Sequence, residues 1–325
     1  MGEVIRVRGL VKEFGGFTAV AGIDFDVQQG DIFGFLGPNG AGKTTTINML
    51  ATLLKPTRGT AEVAGHDVVT RPNEVRQSIG MVFQDPSLDD RLTAEENLEF
   101  HAMLYDVPRR LRAERMEQVL DIVGLADRRK GLVRTFSGGM KRRLEIARGL
   151  LHHPRVLFLD EPTAGLDPQT RNAMWDHVRR LRDAVGITVF MTTHYLDEAE
   201  NCDRIAVIDH GKIQALDTPA ALKRTLGGDT VVVTGDAALE RDLAERYGVQ
   251  VQAANGGYHF QVAGGAAFLP RVVLDFGERV RSIELKQPSL DDVFLHLTGR
   301  AIREEEGSAM DRMRVARRLW TGGRR

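Results

Sequence analysis

A glycine-rich segment at residues 37–45, GPNGAGKTT, has the spacing of a loop that binds the phosphates of a nucleotide. An apolar run, DIFGFL, precedes it, and a helical stretch, TTINMLATLL, follows it. Glycines at these intervals allow successive backbone N–H groups to turn toward phosphate oxygens, while the helix presents the positive end of its dipole. We expect Lys43 to reach the β and γ phosphates and the Thr44 hydroxyl to bind Mg²⁺. The predicted nucleotide-binding residues of this loop are Gly37, Pro38, Asn39, Gly40, Ala41, Gly42, Lys43, Thr44 and Thr45.

A second candidate is a pair of adjacent carboxylates at the end of a buried strand, in the run VLFLDEP at residues 156–162. Neighbouring side chains of a strand point in opposite directions, so the two carboxylates can serve different purposes. We expect Asp160 to hold the magnesium shell and Glu161 to face an attacking water, the arrangement that phosphoryl transfer to water requires.

A third candidate is FSGGMKRRLEIARGLL, which begins at Phe136 with a serine and two glycines that open a long helix. Such a helix start is a further anion-binding N-terminus. Together with the phosphate loop and LDEP, this segment resembles the signature motif of ABC ATPases, written FSGGM here where LSGGQ is commoner. The signature residues that match are Ser137, Gly138, Gly139 and Met140.

The remaining motifs of the ABC family follow in the expected order. Gln84, in MVFQDPSL, matches the Q-loop glutamine, and Asp167, in AGLDP, matches the D-loop. His194, in TTHYLDEAE, matches the switch histidine. Phe14, in KEFGG, matches the aromatic residue that stacks on adenine, a contact worth about 1 to 3 kcal/mol.

The resemblance implies a mechanism that two copies share. ABC ATPases act as head-to-tail dimers, so the segment from Ser137 to Met140 of one subunit is expected to close over the ATP held by the other. Glu161 is the expected general base, Gln84 senses magnesium and water, and His194 holds the γ phosphate in the transition state. The cofactors implied are ATP and Mg²⁺, with Thr44, Gln84 and Asp160 as the metal ligands.

Short β-branched runs alternate with helical stretches over residues 4–211, the pattern of a mainly parallel sheet covered by helices. Residues 1–221 are therefore predicted to form an ABC ATP-binding domain. Residues from about 93 to 150 lack strand-like runs and space their apolar residues by three and four, which predicts an inserted helical subdomain. The predicted fold class is α/β, a P-loop NTPase of the ABC ATPase kind.

Beyond residue 221 the pattern changes. Residues 222–300 read as a small C-terminal α+β domain with the order β-α-β-β-α-β, and NGG at Asn255 is a hairpin signal. Residues 301–325 read as a charged, frayed tail. The tail could lay Met313, Ala316 and Trp320 on one face against a membrane or partner, or could simply be solvated.

Composition excludes several kinds of function. The 325 residues carry 44 Lys and Arg against 45 Asp and Glu, a net charge of -1 that offers no general attraction to nucleic acid. The single cysteine, Cys202, excludes an internal disulfide framework and a thiolate metal cluster. No apolar run approaches the ~20 residues that span a bilayer, and the N-terminus lacks a signal-like core. If the protein serves a membrane, we expect it to do so through a partner.

Three functions compete at this point: a transporter subunit, a soluble ABC ATPase acting on DNA or ribosomes, and a nucleotide-regulated binding module. Residues 287–300, QPSLDDVFLHLTGR, and residues 83–98, FQDPSLDDRLTAEENL, resemble the daunorubicin-resistance type of exporter ATPase. That resemblance implies ATP-driven export of a drug, antibiotic or other hydrophobic compound through a separate permease. It also implies a homodimer at the cytoplasmic face of a bacterial plasma membrane, with no nucleic-acid partner.

Two further expectations concern the permease and the C-terminal domain. The membrane permease is expected to dock on the helical subdomain near residues 84–104, since the Q-loop links the nucleotide to that subdomain. The C-terminal domain is either a stabilising appendage or an element that assists dimerisation or regulates coupling.

Overall fold

The computed structural model describes residues 2–85, 87–254 and 257–299. Within them the chain separates into two compact units, residues 2–216 and residues 217–299. The strands that begin in the first unit are β1 (Glu3–Phe14), β2 (Phe17–Gln28), β3 (Ile32–Leu36), β4 (Arg58–Val63), β5 (His66–Asp67), β6 (Ile79–Val82), β7 (Val156–Asp160), β8 (Thr188–Thr193), β9 (Arg204–Asp209) and β10 (Lys212–Asp217). Its helices are α1 (Lys43–Leu50), α2 (Pro72–Ser78), α3 (Ala94–Leu104), α4 (Arg109–Ile122), α5 (Gly138–Leu150), α6 (Pro168–Val185) and α7 (Leu196–Ala199).

The central sheet of the first unit has the strand order β10-β9-β3-β8-β7-β6. The pairings β3 with β8 and β9, and β7 with β6 and β8, are all parallel. Every residue of β3, β7 and β8 is buried, which is typical of a parallel sheet covered on both faces. This sheet confirms the predicted α/β class.

The topology brings the predicted chemistry to one edge of this sheet. Parallel strands end at the same edge, and β3, β7 and β8 are followed there by Gly37, Glu161 and His194. The backbone N–H of Gly37 donates to the carbonyl oxygen of Thr193 at 3.2 Å, which joins two of these strand ends directly.

A second, antiparallel sheet, β2-β1-β4-β5, packs against the central one. The core between them contains a cluster of phenylalanine rings whose centroids lie 5.5 to 6.0 Å apart. These rings belong to Phe25, Phe33, Phe35, Phe158 and Phe190. The core holds the central strands in place and so fixes the edge where the motif residues meet.

Residues 93–150, all of which are described, contain α3, α4, α5 and two short 3-10 helices, Ala126–Arg128 and Val133–Thr135. Thr93 begins this stretch as the N-cap of α3, in a capping box with Glu96. The inserted segment is therefore helical.

The second unit contains α8 (Pro219–Arg224), β11 (Asp229–Gly235), α9 (Leu239–Tyr247), β12 (Gln252–Ala254), β13 (Gly257–Val262), α10 (Gly265–Phe276), the 3-10 helix Gly277–Arg279, β14 (Val280–Lys286) and α11 (Leu290–Thr298). From β11 to β14 the order is β-α-β-β-α-β, and the antiparallel sheet runs β12-β13-β11-β14. This is the ferredoxin-like, split β-α-β arrangement.

The boundary between the two units differs from the predicted one. The predicted boundary after residue 221 would cut through α8, which packs against α11 in the second unit, so the units divide after Leu216 instead. β12 and β13 pair as a hairpin would, but Asn255 and Gly256 lie outside the described residues. The predicted tail at 301–325, with Met313, Ala316 and Trp320, also lies outside them.

Candidate nucleotide site

The predicted phosphate loop connects β3 to α1 and depends on its glycines. Gly40 and Gly42 have φ angles of 82° and 106°, in the left-handed region that favours glycine. A Cβ atom on Gly42 would also lie 2.6 Å from the carbonyl oxygen of Ala19 in β2. Gly42 is the N-cap of α1, so the loop delivers Lys43 as the first helical residue.

Lys43 is almost completely buried, with 4% of the residue exposed. Its Nζ donates to the carbonyl oxygens of Gly37 at 2.7 Å and Pro38 at 3.1 Å, and lies 3.2 Å from Oε1 of Glu161. Burial lowers the pKa of Lys43, and the charges of Glu161 and Asp160 oppose that shift. The ammonium group is thus enclosed by its own loop and faces the carboxylate at the end of β7.

The other loop residues differ in exposure. Ala41 and Pro38 are buried, Asn39, Gly40 and Thr44 are exposed, and Thr45 is half-buried. The helix start is therefore open at the positions where a ligand would have to approach.

Phe14 lies at the tip of the β1–β2 hairpin and is 46% exposed. Its ring is covered on one side by Nζ of Lys12, at 4.9 Å from the ring centroid. Strand β2 of the same hairpin passes the phosphate loop at Ala19, which contacts Gly42. The same hairpin thus carries Phe14 at its tip and contacts the phosphate loop through Ala19.

Asp160 is buried at the end of β7. Its Oδ1 accepts hydrogen bonds from the hydroxyls of Thr44, at 3.3 Å, and Thr192. Burial raises the pKa of Asp160, and the hydroxyl of Thr192 only partly offsets this. A carboxylate beside a hydroxyl is the oxygen donor set that Mg²⁺ prefers, so Thr44 and Asp160 fit the predicted metal. Gln84, the third predicted ligand, directs its amide nitrogen to Glu161 instead.

Glu161 is the point where the motifs meet. Besides Lys43, its carboxylate is approached at Oε2 by Nε2 of Gln84 at 3.2 Å and by Nδ1 of His194 at 3.3 Å. The residue is 8% exposed, and its backbone has φ of 44°, a left-handed conformation that is unusual for glutamate. Its backbone N–H donates to the hydroxyl of Thr192 at 3.0 Å, which stabilises that conformation.

The surroundings of Glu161 favour its ionised form. Burial by itself raises the pKa of Glu161, but the hydrogen bond from His194 and the charge of Lys43 outweigh burial, so the pKa lies below its ordinary value. A buried, ionised carboxylate held between an ammonium, an amide and an imidazole is able to accept a proton.

The predicted signature segment opens α5. Ser137 is the N-cap and accepts a hydrogen bond from the backbone N–H of Met140 at 3.3 Å. Ser137 and Gly138 are exposed, while Gly139 and Met140 are half-buried.

The start of α6 lies beside the signature segment. Asp167 caps α6 by accepting from the backbone N–H of Thr170 at 3.0 Å, and a Cβ on Gly139 would lie 2.6 Å from Cγ2 of Thr170. Ser137, Met140 and Thr170 line an open groove of about 370 Å³. Two helix N-termini thus open onto one shared groove.

The predicted site residues form two sets within one chain. Among the described residues, no hydrogen bond or ion pair joins residues 137–140 to the loop at 37–45. The loop, Gln84, the two carboxylates and His194 form one set, and the two helix N-termini form the other.

Comparisons with known proteins identify the family. A profile described as "ABC transporter" matches residues 20–164. The daunorubicin/doxorubicin resistance ATP-binding protein DrrA of Streptomyces peucetius is 46% identical over 91% of this chain and 93% of its own length. The linearmycin resistance ATP-binding protein LnrL of Bacillus subtilis is 38% identical over 93% of this chain and 100% of its own length. The chain belongs to the daunorubicin-resistance family of ABC transporter ATP-binding proteins.

A solved structure supports the same assignment for the fold. An ATP-binding cassette in a dimeric, post-hydrolysis state with ADP and Pi has a TM-score of 0.59 at 26% identity, and the match covers 66% of this chain and 98% of that one. This ABC protein is an ATPase with the P-loop NTPase fold, which confirms the predicted class of fold and enzyme. In the part of the chain that the structure describes, no helix is long and apolar enough to span a bilayer.

Sequence reasoning missed two buried clusters of this ABC protein. Arg142 and Glu145, three residues apart in α5, are buried and paired with each other. Glu198, which follows the predicted switch histidine in the sequence, is buried. It accepts hydrogen bonds from the hydroxyls of Thr163 and Thr193. The only sequence signal was the presence of charged residues on otherwise apolar helix faces, which is more often read as solvated surface.

Proposed function

We propose that this ABC protein hydrolyses ATP to drive export of a hydrophobic drug or antibiotic through a separate membrane permease. Two relatives that match along nearly the whole chain are named for resistance to daunorubicin/doxorubicin and to linearmycin. The observation that carries the proposal is the convergence of Lys43, Gln84 and His194 on the carboxylate of Glu161. Neither relative is named for a nucleic-acid or ribosomal partner, so the alternative of a soluble ATPase acting on these has no support from them.

Lys43 is proposed to bind the β and γ phosphates together with the N–H groups of the loop. An ammonium group has three donors, and those of Lys43 are directed to Gly37, Pro38 and Glu161. A phosphate oxygen that binds Lys43 must therefore replace one of these partners. Replacement of Glu161 would release Oε1, and the carboxylate could then accept the proton of the attacking water.

Gln84 and His194 are proposed to orient this water and to contact the γ phosphate, respectively. Both side chains contact Oε2 of Glu161, so they hold the carboxylate in place while Oε1 exchanges Lys43 for the attacking water. The base that the proposal requires is ionised, which agrees with the lowered pKa of Glu161. Phe14, exposed at the hairpin tip, is proposed to stack on the adenine.

Thr44 and Asp160 are proposed to hold Mg²⁺, with Gln84 joining them after its amide changes orientation. When bound, the metal ion neutralises charge that develops on the phosphate oxygens. Asp160 lies next to Thr44 without any further rearrangement, because their side chains already contact each other at 3.3 Å.

A second copy of the chain is proposed to complete the site. The loop at 37–45 supplies donors from one side only, and the start of α5 is a further set of donors that no described contact joins to it within the same subunit. In a head-to-tail dimer, Ser137, Gly138, Gly139 and Met140 of one copy would contact the nucleotide of the other, with Asp167 beside them.

The helical segment is proposed as the docking surface of the permease. Phe100, Met103 and Leu104 of α3 are each more than half exposed, which is unusual for large apolar side chains and marks an interaction surface. The protein would then be a peripheral subunit at the cytoplasmic face of a bacterial plasma membrane, without a nucleic-acid partner. The second unit is proposed to assist dimerisation or to regulate coupling.

A transport assay tests this function directly. The protein is co-expressed with a candidate permease of the same exporter class, and ATP-dependent accumulation of hydrophobic drugs, doxorubicin among them, is measured in inverted membrane vesicles. We expect uptake with wild type, none with Glu161→Gln, and none when EDTA removes Mg²⁺. ATP hydrolysis by the purified complex without uptake of any hydrophobic compound tested would reject export as the function.

A further inference from the structure

A buried ion pair in α5 contacts the strand ends that carry Gln84 and Glu161. Arg142 and Glu145 are 6% and 0% exposed, and Nη1 of the arginine lies 3.0 Å from Oε2 of the glutamate. Burying two charges costs solvation free energy that an ion pair often does not recover, and apolar residues in their place are often equally stable. The stability of the ion pair alone therefore does not explain why two charged residues lie buried here.

The guanidinium of Arg142 binds the ends of two neighbouring strands. Its Nε donates to the carbonyl oxygen of Pro162 at 2.7 Å, and its Nη2 donates to that of Asp160 at 3.1 Å. Its Nη1 also donates to the carbonyl oxygen of Phe83. The contacts to Asp160 and Pro162 lie on either side of Glu161, and the contact to Phe83 lies just before Gln84.

Glu145 holds the far side of the segment that contains Gln84. Its Oε1 accepts the backbone N–H of Ser87 at 2.8 Å. Arg148, one turn further along α5, donates to the carbonyl oxygen of Ser87 at 2.8 Å. The helix that starts at Ser137 therefore binds backbone groups on both sides of Gln84 and on both sides of Glu161.

We propose that Arg142 and Glu145 are positioning residues that keep Gln84 and Glu161 in register with each other and with the start of α5. The assignment rests on the hydrolytic roles proposed above for those two residues. A planar guanidinium is suited to this task because it directs several donors at fixed angles, which a lysine ammonium cannot reproduce. Because Arg142 is only five residues after Ser137, about 7.5 Å along the helix, a displacement of the helix start must also displace the catalytic pair.

The first test is Arg142→Lys in the full-length protein, which keeps the positive charge beside Glu145. We expect kcat for ATP hydrolysis to fall by about 10- to 100-fold, since small misplacements of catalytic groups have effects of this size. KM for ATP should change by less than about threefold, because, within the part of the chain that the structure describes, Arg142 makes no hydrogen bond with the loop at 37–45. A purely structural role would instead lower the fraction of active protein and the melting temperature.

Arg115→Lys is the matched control. Arg115 lies in α4 of the same helical segment and donates to a single carbonyl oxygen, that of Leu151, at 3.2 Å. We expect its kcat and KM to equal those of wild type. Equal losses of kcat in the two lysine variants would overturn the assignment, because they would reflect a general response of the segment.

A double-mutant cycle tests whether Arg142 acts through Gln84 and Glu161. If it positions Gln84, the loss of kcat caused by Arg142→Lys should be several-fold smaller in a Gln84→Ala background than in wild type. Losses that multiply independently would contradict a shared role.

A folding defect can be separated with Arg142→Met combined with Glu145→Leu, which removes both charges and retains apolar volume. We expect a thermal transition that is still cooperative but lower than that of wild type, because three carbonyl oxygens and the N–H of Ser87 lose their partners. Measured well below that transition, kcat should remain low. Wild-type kcat in this folded variant would overturn the proposal. Normal turnover by Glu161→Gln would instead reject the proposed role of Glu161 as general base, so that failure is distinguishable from failure of the positioning proposal.

Discussion

The side-chain amide nitrogen of Gln84 lies 3.2 Å from Oε2 of Glu161, although 77 positions separate the two residues in the chain. They meet because β6 and β7 are neighbours in the parallel sheet, so the segments after both strands emerge at one edge. Lys43 approaches the other carboxylate oxygen from the loop after β3. The carboxylate of Glu161 thus joins the segments that follow β3, β6 and β7.

Replacing Glu161 by glutamine should abolish turnover without abolishing ATP binding. The amide cannot accept the proton of the attacking water, and loss of a general base typically costs about 10²- to 10⁴-fold in rate. Steady-state phosphate release and equilibrium binding of a fluorescent ATP analogue measure the two effects. Turnover within about twofold of wild type would assign the base to another residue.

Replacing Lys43 by alanine should weaken ATP binding by about tenfold or more, because a hydrogen-bonded charge contributes roughly 1.5 to 3 kcal/mol. Lys55→Ala is the control, since Lys55 is exposed just beyond α1. Isothermal titration calorimetry with ATP and Mg²⁺ compares the two variants. Equal affinities in both would show that the loop does not bind the phosphates through Lys43.

Replacing Phe14 by alanine should raise the dissociation constant for ATP about fivefold or more, as expected for the loss of one stacking contact. Phe17 pairs with Phe14 across the hairpin and is the more exposed of the two, so Phe17→Ala is a matched comparison. If Phe17→Ala has the larger effect, the adenine lies against the other strand.

The buried carboxyl of Glu198 should make stability depend on pH. Burial raises the pKa of Glu198 despite hydrogen bonds from Thr163 and Thr193. Since the folded pKa is above the unfolded one, the contribution to stability is fully present below the unfolded pKa and is lost as pH rises through the folded pKa. Glu198→Gln should remove this pH-dependent loss of stability, because glutamine does not ionise.

The free energy of unfolding from urea titrations should therefore shift in favour of Glu198→Gln, relative to wild type, as the pH is raised from about 4 to 8. Asp197→Asn, at the exposed neighbouring position, should show no such trend. A difference that is constant with pH, or that shifts in favour of wild type, contradicts the raised pKa.

The phosphate loop was predictable because its requirements are local. Gly42 must adopt a left-handed φ and leave room for the carbonyl oxygen of Ala19, and Lys43 must follow at the helix start. The order of the strands is not local. The sequence predicts a mainly parallel sheet, but the contact of Gln84 with Glu161 follows from which strands are neighbours.

The buried pair Arg142 and Glu145 was not predictable for a related reason. Their partners are backbone groups of Phe83, Ser87 and Pro162, and a carbonyl oxygen has no signature in a sequence. The division between the two units was misplaced because α8 contacts α11 at the far end of the second unit, a long-range contact that composition does not reveal.

The central claim is that two copies share each nucleotide, and sedimentation velocity of the Glu161→Gln variant tests it most directly. With saturating ATP and Mg²⁺, this variant should sediment as a dimer, and it should return to a monomer when Ser137 is also replaced by arginine. A Glu161→Gln variant that binds ATP and still sediments as a monomer would contradict the account.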